Sequence, residues 1–153
     1  MSDIVMTPIG VIRSPHAVPA DAPIQPRFAK GAKGRIELRP DLAEGLRDLG
    51  GFSHIIILYY MHRTEGYSLK VKPYLDDHER GLFATRAPRR PNPIGLSVVR
   101  LERIEGHVLH VRDIDAVDGS PLLDIKPYVP PFEPSEEIKI GWLTGKAIDK
   151  DRD

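Results

Sequence analysis

The sequence predicts a mainly β fold, a single β-barrel-like domain with one or two short helices. Three observations carry this. Short apolar stretches recur along the whole chain. Proline punctuates them, 15 residues in 153, about twice the usual ~5%. Only one segment, 41–49, shows a clear helical period.

Ile9 to Ile12 reads as the first strand. Ser14 to Phe28 holds Pro15, Pro19, Pro23 and Pro26 and reads as an extended loop, since proline fixes φ and removes a donor. Arg35 to Leu38 follows as a short strand. In Asp41 to Leu49, Leu42, Leu46 and Leu49 share one helical face, with Asp41 as a cap and Gly50–Gly51 as a stop. Phe52 to Met61 is apolar at both parities, the pattern of a strand covered on both faces. Tyr67 to Val71 and Leu82 to Thr85 read as shorter strands. Leu96 to Ile104 and His107 to Ile114 flank Glu105–Gly106, a two-residue hairpin signal. Leu122 to Ile125 is the last strand, and the tail from about residue 138 is expected to fray. Neither a repeat nor a linker long enough for a second domain is present, so residues 1–153 read as one domain.

Composition narrows the chemistry. The chain has no cysteine, which excludes disulfides, thiolate nucleophiles and Cys-bound clusters. Met1 to Gly10 lacks a basic stretch followed by an apolar run, and Ile55 to Met61 falls far short of the ~20 residues of a membrane helix. A cytoplasmic protein is expected. The six histidines do not have ligand spacing: His54 and His62 lie ~26 Å apart along a strand. Asp76-Asp77-His78-Glu79 reads as a polar loop tip, and no metal is expected.

Net charge is zero, with 22 basic and 22 acidic side chains, but its distribution is uneven. Between Arg80 and Arg103 there are six arginines and one acid, Glu102. Arginine without lysine points to planar, bidentate contacts with phosphate or carboxylate. Pro88, Pro91 and Pro93 stiffen the segment carrying Arg86, Arg89 and Arg90, so less entropy is lost on binding. Asn92 adds a donor and an acceptor to this array. A second signal is Asp118-Gly119-Ser120-Pro121, a β-turn sequence. Beyond it, Asp124 and Lys126 share strand parity, either as a structural ion pair or facing a ligand. His62–Arg63 ends the most apolar strand, where barrel mouths bind ligands.

Two long motifs, GLFATRAPRRPNPIGLS at 81–97 and DGSPLLDIKPY at 118–128, resemble those of the TsaA-like family. The likeness runs from about Pro8 to about Pro134. It implies a β-barrel, S-adenosylmethionine as cofactor, a homodimer, and methylation of N6 of N6-threonylcarbamoyladenosine next to the anticodon of tRNA. By position, it implies cofactor contacts at Pro23, Ile24, Gln25, His62, Arg63, Arg86, Leu96, Asp118, Gly119, Ser120 and Pro121. The family's Pro-Arg-Gln stands here as Pro23-Ile24-Gln25. Longer bacterial members carry an extra C-terminal domain, which a chain of this length is expected to lack.

Residue chemistry fits that expectation. An arginine can hold the cofactor carboxylate, and methyl transfer needs alignment more than acid–base machinery. Arg89, Arg90, Asn92 and Lys126 are the expected substrate contacts. Loss of the amine proton needs a base, for which Asp118, Asp124 and Tyr128 are candidates. Tyr59, Tyr60 and Phe83 are available to stack on a splayed base. The alternatives are a methyltransferase acting on a small molecule and a non-catalytic module that binds a nucleotide or RNA.

Overall fold

A computed structural model describes residues 1–18, 30–74, 76–130 and 137–146. Eight strands are present among them: β1 (Gly10–Arg13), β2 (Lys33–Leu38), β3 (His54–Tyr60), β4 (Lys70–Val71), β5 (Arg80–Gly81), β6 (Ile94–Glu105), β7 (Val108–Arg112) and β8 (Pro121–Pro127). Six of them close an antiparallel barrel in the order β1-β2-β7-β6-β3-β8, with β8 returning to β1. β4 and β5 form a separate ribbon inside the β3–β6 connection.

Alternation decides what fills the barrel. Side chains on a strand point to opposite faces in turn. Ile12, Ile36, Ile55, Ile57, Val99, Leu109, Val111 and Leu122 point inward and expose no surface. Each such side chain contributes about 1.5–3 kcal/mol by leaving water. Gly95 is required on this inner face. A Cβ there would sit 2.3 Å from the Tyr59 ring, so the ring lies flush on bare backbone. Tyr59 Oη then meets Ser97 Oγ at 3.0 Å, and Ser97 Oγ donates to Asp115 Oδ1 at 2.5 Å. Burial holds the Asp115 carboxyl above its ordinary range, opposed by the Ser97 hydrogen bond. Burial, reinforced by the nearby Asp115 charge, raises the Tyr59 phenol too.

Six of the strands expected from sequence close the barrel, the one expected at Tyr67–Val71 is shortened to β4 in the separate ribbon, and three further local expectations are corrected. Residues 41–49 are not an α-helix. A 3-10 helix spans Pro40–Leu46, the chain breaks at Arg47 and Asp48 (φ 70°), and a second 3-10 turn covers Leu49–Gly51. Gly45 lowers the helix propensity of so short a segment, yet Leu46 is still buried and Leu42 and Leu49 pack on the core. Leu82–Thr85 is a 3-10 turn at Leu82–Ala84, capped by Thr85 N–H on the Leu82 carbonyl at 3.0 Å. The hairpin loop is Gly106–His107, because Glu105 pairs with Val108 and Gly106 takes φ 62°.

β3 is covered on one face. Ile55, Ile57 and Tyr59 are buried, His54, Ile56 and Leu58 are half-buried, and Tyr60 is 44% exposed. A closed barrel has one inside, so the second apolar face looks outward. The polar run at 76–79 lies in the β4–β5 connection with Asp77, His78 and Glu79 exposed, but the Asp76 side chain exposes nothing and is held by Arg80 and Lys146.

Candidate functional site

Antiparallel order gathers the chemistry at one end. The C-termini of β1, β3 and β7 and the N-termini of β2, β6 and β8 share one rim of the barrel. Three connections cross that rim: 14–32, 61–93 and 113–120. The opposite rim has the turns at 39–53 and the two-residue hairpin at Gly106–His107. A hollow of about 240 Å³ also opens there, between Leu46, Leu49, Phe52 and Ile125. Its walls are mostly apolar, with Arg47 and Asp48 the charged members, and none of the expected site residues line it.

Backbone bonds lock the Asp118 turn to β1. Gly119 N–H donates to the Ile12 carbonyl at 2.8 Å, and Ile12 N–H donates to the Ser120 carbonyl at 2.9 Å. Asp118 N–H donates to the His16 carbonyl at 2.7 Å, while Asp118 Oδ1 accepts from Ser14 N–H at 3.0 Å. Ser120 is 1% exposed and returns its hydroxyl to the Val117 carbonyl at 2.6 Å. Gly119 carries φ 85°, a conformation that favours glycine, and a Cβ at that position would lie 3.8 Å from His62 Nε2.

His62 therefore stands beside the turn. Its Nδ1 is buried and has no hydrogen-bond partner among the described residues. Burial pushes the imidazole below its ordinary pKa, the neighbouring Arg63 adds to that, and Asp118 opposes it. A neutral imidazole with an orphaned nitrogen is a place where a ligand's polar group gains a bond.

The arginine loop belongs to the connection that leaves the same rim at Met61 and rejoins it at Pro93, where Met61 N–H donates to the Pro93 carbonyl at 2.8 Å. Arg90 Nη1 donates to the Thr85 and Ala87 carbonyls, both at 2.9 Å, and its guanidinium lies 5.8 Å from the Phe83 ring centroid. Arg90 thus staples the loop. Arg63, Arg86 and Arg89 are exposed and make no hydrogen bond or ion pair with a described residue. Phe83 is 74% exposed, a large apolar ring left in water beside these cations.

The expected site residues divide clearly. His62, Arg63, Arg86, Arg89, Arg90, Asn92 and Asp118 to Pro121 lie on the loops of one rim or where they join the strands. Pro23, Ile24 and Gln25 lie outside the described residues. Leu96 is on the outer face of β6, paired with Leu58 and 52% exposed. Lys126 and Asp124 form the ion pair read from strand parity, at 3.0 Å, on the outside of β8. Tyr128 sits at the opposite rim, its ring 6.4 Å from that of His54. Tyr59 is 7% exposed and closed to a stacking base, leaving Tyr60 and Phe83. Sequence reasoning did not single out Ser14, His16 or Asp115, which tie this rim together. The bonds of Ser14 and His16 span about a hundred residues, His16 Nε2 to the Ile114 carbonyl at 2.9 Å among them, Asp115 reaches back to Ser97 on β6, and no local pattern announces either.

Comparison with known proteins agrees with this architecture. Residues 11–133 match the family model described as the tRNA-methyltransferase O N-terminal domain. A probable S-adenosyl-L-methionine-binding protein of Pyrococcus abyssi is 51% identical over 152 residues, 98% of this chain and 83% of that protein. The tRNA (adenine(37)-N6)-methyltransferase of Escherichia coli is 41% identical over 85% of this chain, which spans 60% of its length. The crystal structure of TrmO from Pseudomonas aeruginosa superposes with a TM-score of 0.76 at 40% identity, covering 92% of this chain and 62% of that one. With a matched segment that includes all six barrel strands but the first residue of β1, this chain belongs to the tRNA-methyltransferase O N-terminal domain family.

Proposed function

We propose that the protein is an S-adenosylmethionine-dependent tRNA methyltransferase acting on N6 of adenine, with N6-threonylcarbamoyladenosine next to the anticodon as its target. The observation that carries this is the rim itself. A neutral histidine whose buried Nδ1 has no partner among the described residues stands beside a locked glycine turn at one barrel mouth, and the connection that leaves this mouth, 61–93, carries Arg63, Arg86 and Arg89, unpaired with any described residue. These groups fit the cofactor. Arg86 is a partner for its carboxylate, while His62 and the Asp118–Pro121 turn offer polar edges to the rest. Pro23 to Gln25 fall in sequence between β1 and β2. When bound, S-adenosylmethionine supplies an electrophilic methyl group.

The chain's own groups divide the remaining work. Arg89 and Asn92 face the acceptor side of the loop, and exposed Phe83 and Tyr60 offer faces to unstacked bases. Of the three candidate bases, Asp118 is at the mouth. One of its oxygens is spent on Ser14 N–H, leaving the other to accept the amine proton. Asp124 is neutralised by Lys126, and Tyr128 is at the wrong end for a site within one chain.

Assembly as a homodimer completes the reading. Tyr60, Ile94 and Leu96 expose 44%, 43% and 52% on the outer face of β3 and β6, and Leu58, Ile56 and Val98 continue the same stripe. A second copy over this stripe would bury it and would bring Leu96 into an enclosed cleft, which an outward side chain otherwise lacks. Cytoplasmic location follows from a tRNA substrate. Among the described residues no helix is long and apolar enough to cross a membrane.

The test is transfer of a labelled methyl group from S-adenosylmethionine to purified tRNA with and without the threonylcarbamoyl modification. Label in modified tRNA alone is the expected result. Cofactor binding without transfer to either tRNA overturns the substrate, and no cofactor binding overturns the enzyme.

A further inference from the structure

Residues 137–146 lie beyond the last barrel strand and are mostly exposed, yet they are tied to one place. Trp142 Nε1 donates to the Ala84 carbonyl at 2.8 Å. The Arg80 guanidinium lies 5.7 Å from the Trp142 ring centroid, a cation–π distance. Lys146 Nζ reaches Asp76 Oδ1 at 3.4 Å, and Arg80 Nε donates to Asp76 Oδ2 at 2.5 Å. The segment holds its own shape through turns closed by Leu143, Thr144 and Lys146 N–H groups on the Ile140, Gly141 and Leu143 carbonyls. It is therefore a preformed piece, not a strand of tail draped on the surface.

Its target matters because of what comes next. Ala84 is the last residue of the 3-10 turn, and Arg86 follows two residues later. Immediately before and after Arg86, the Thr85 and Ala87 carbonyls are held by Arg90 Nη1. The backbone around Arg86 is thus bracketed by Trp142 and Arg90. Neither bracket is a strand hydrogen bond. Remove one, and Arg86 keeps its charge but loses its fixed place, so more ordering entropy must be given up on binding.

We propose that Trp142 is a positioning residue for the arginine loop, so that ligand affinity at Arg86 depends on the C-terminal segment. The affinity part rests on the reading of Arg86 as a cofactor contact; the loop-holding part does not. Trp142→Ala removes the donor and the ring, and Trp142→Phe keeps a ring but removes the donor. Lys146→Ala, on the periphery, guards against a Trp142 variant that fails to fold.

Two readouts are needed. Limited trypsin digestion reports loop holding through the Arg86–Ala87 and Arg89–Arg90 bonds. Calorimetric titration with S-adenosylmethionine reports affinity, with Arg86→Ala as the reference. Faster cleavage at those two bonds alone, with a 3- to 10-fold weaker dissociation constant for Trp142→Ala and a smaller change for Trp142→Phe, is the expected result. Unchanged cleavage in every variant overturns the proposal, and so does faster cleavage along the whole chain. A loosened loop with unchanged affinity, while Arg86→Ala weakens binding, overturns the positioning role. If Arg86→Ala is also without effect, the cofactor assignment of Arg86 fails while the strap itself stands on the cleavage result.

Discussion

The two rims of the barrel are made from the same strands but by opposite means. At one rim β6 turns into β7 through Gly106–His107, and 39–53 is wound into short 3-10 turns. Arg39 and Arg103 are paired there with Asp41 and Glu105, close in sequence, at 2.7 and 2.5 Å. At the other rim, connections of up to thirty-three residues, 61–93, carry Arg63, Arg86 and Arg89, which pair with no acid among the described residues. The difference teaches where rigidity comes from. Short turns hold the first rim; the second is held by long-range ties such as Ser14–Ala116, His16–Ile114 and Trp142–Ala84. A loop fixed that way can offer charge and aromatic surface while its backbone stays in place.

The largest expected effect breaks both rims at once. Ile57 exposes no surface at the barrel centre. Ile57→Ala removes buried methyl and methylene groups and leaves a cavity, at a cost of about 2–5 kcal/mol. Urea denaturation should show that loss, with cofactor affinity retained in the fraction still folded. A loss below 1 kcal/mol would mean the centre can collapse, contrary to the packing seen.

Next comes Arg86, which separates the rims. Arg86→Ala should cost about 1.5–3 kcal/mol of S-adenosylmethionine affinity through a lost charge-assisted bond. Arg47→Ala at the opposite rim should leave affinity unchanged. Equal losses in calorimetry would dissolve the distinction between the two ends.

How far the sequence foretold this depends on the range of the signal. The apolar run at 52–61 announced a strand but not its inner face: both parities are apolar, and only closure of the barrel shows that Ile55, Ile57 and Tyr59 point inward. Strand parity did pair Asp124 with Lys126. The leucine period at 42, 46 and 49 found a real apolar face but the wrong helix, because Gly45 weighs against α geometry in so short a segment. Arg86 and Arg90 looked equivalent in sequence. Only the fold shows that Arg90 spends its guanidinium on Thr85 and Ala87 while Arg86 does not.

A smaller effect sharpens the substrate side of the mouth. Phe83→Ala removes the exposed ring and should weaken tRNA binding by about 1–3 kcal/mol if one base stacks there. Phe83→Tyr should retain it. Arg89→Ala should lower the slope of log affinity against log salt by about one unit for one lost phosphate contact. Cofactor affinity should stay constant in both. Titrations at several salt concentrations that show no change for either variant would move the RNA path away from this loop.

The smallest effect is a pH dependence at the same rim. Burial lowers the His62 imidazole from 6.5 in the folded chain, with Arg63 helping and Asp118 opposing. The unfolded chain therefore takes up that proton first as pH falls. Stability from His62 is complete above 6.5 and is lost as pH drops through the folded value. Asp115 works in the other direction: its raised carboxyl binds a proton in the folded state first, so acidification toward 3.8 favours folding. The two contributions oppose each other in wild type, and the bare slope of melting temperature against pH is not diagnostic. Replacing His62 by Gln removes one of them. Between pH 7 and about 5.5, His62→Gln should lose less stability than wild type. Identical slopes in thermal melts would show that His62 takes up its proton at the same pH in the folded and unfolded chains, and that its unpartnered nitrogen is not held neutral by burial.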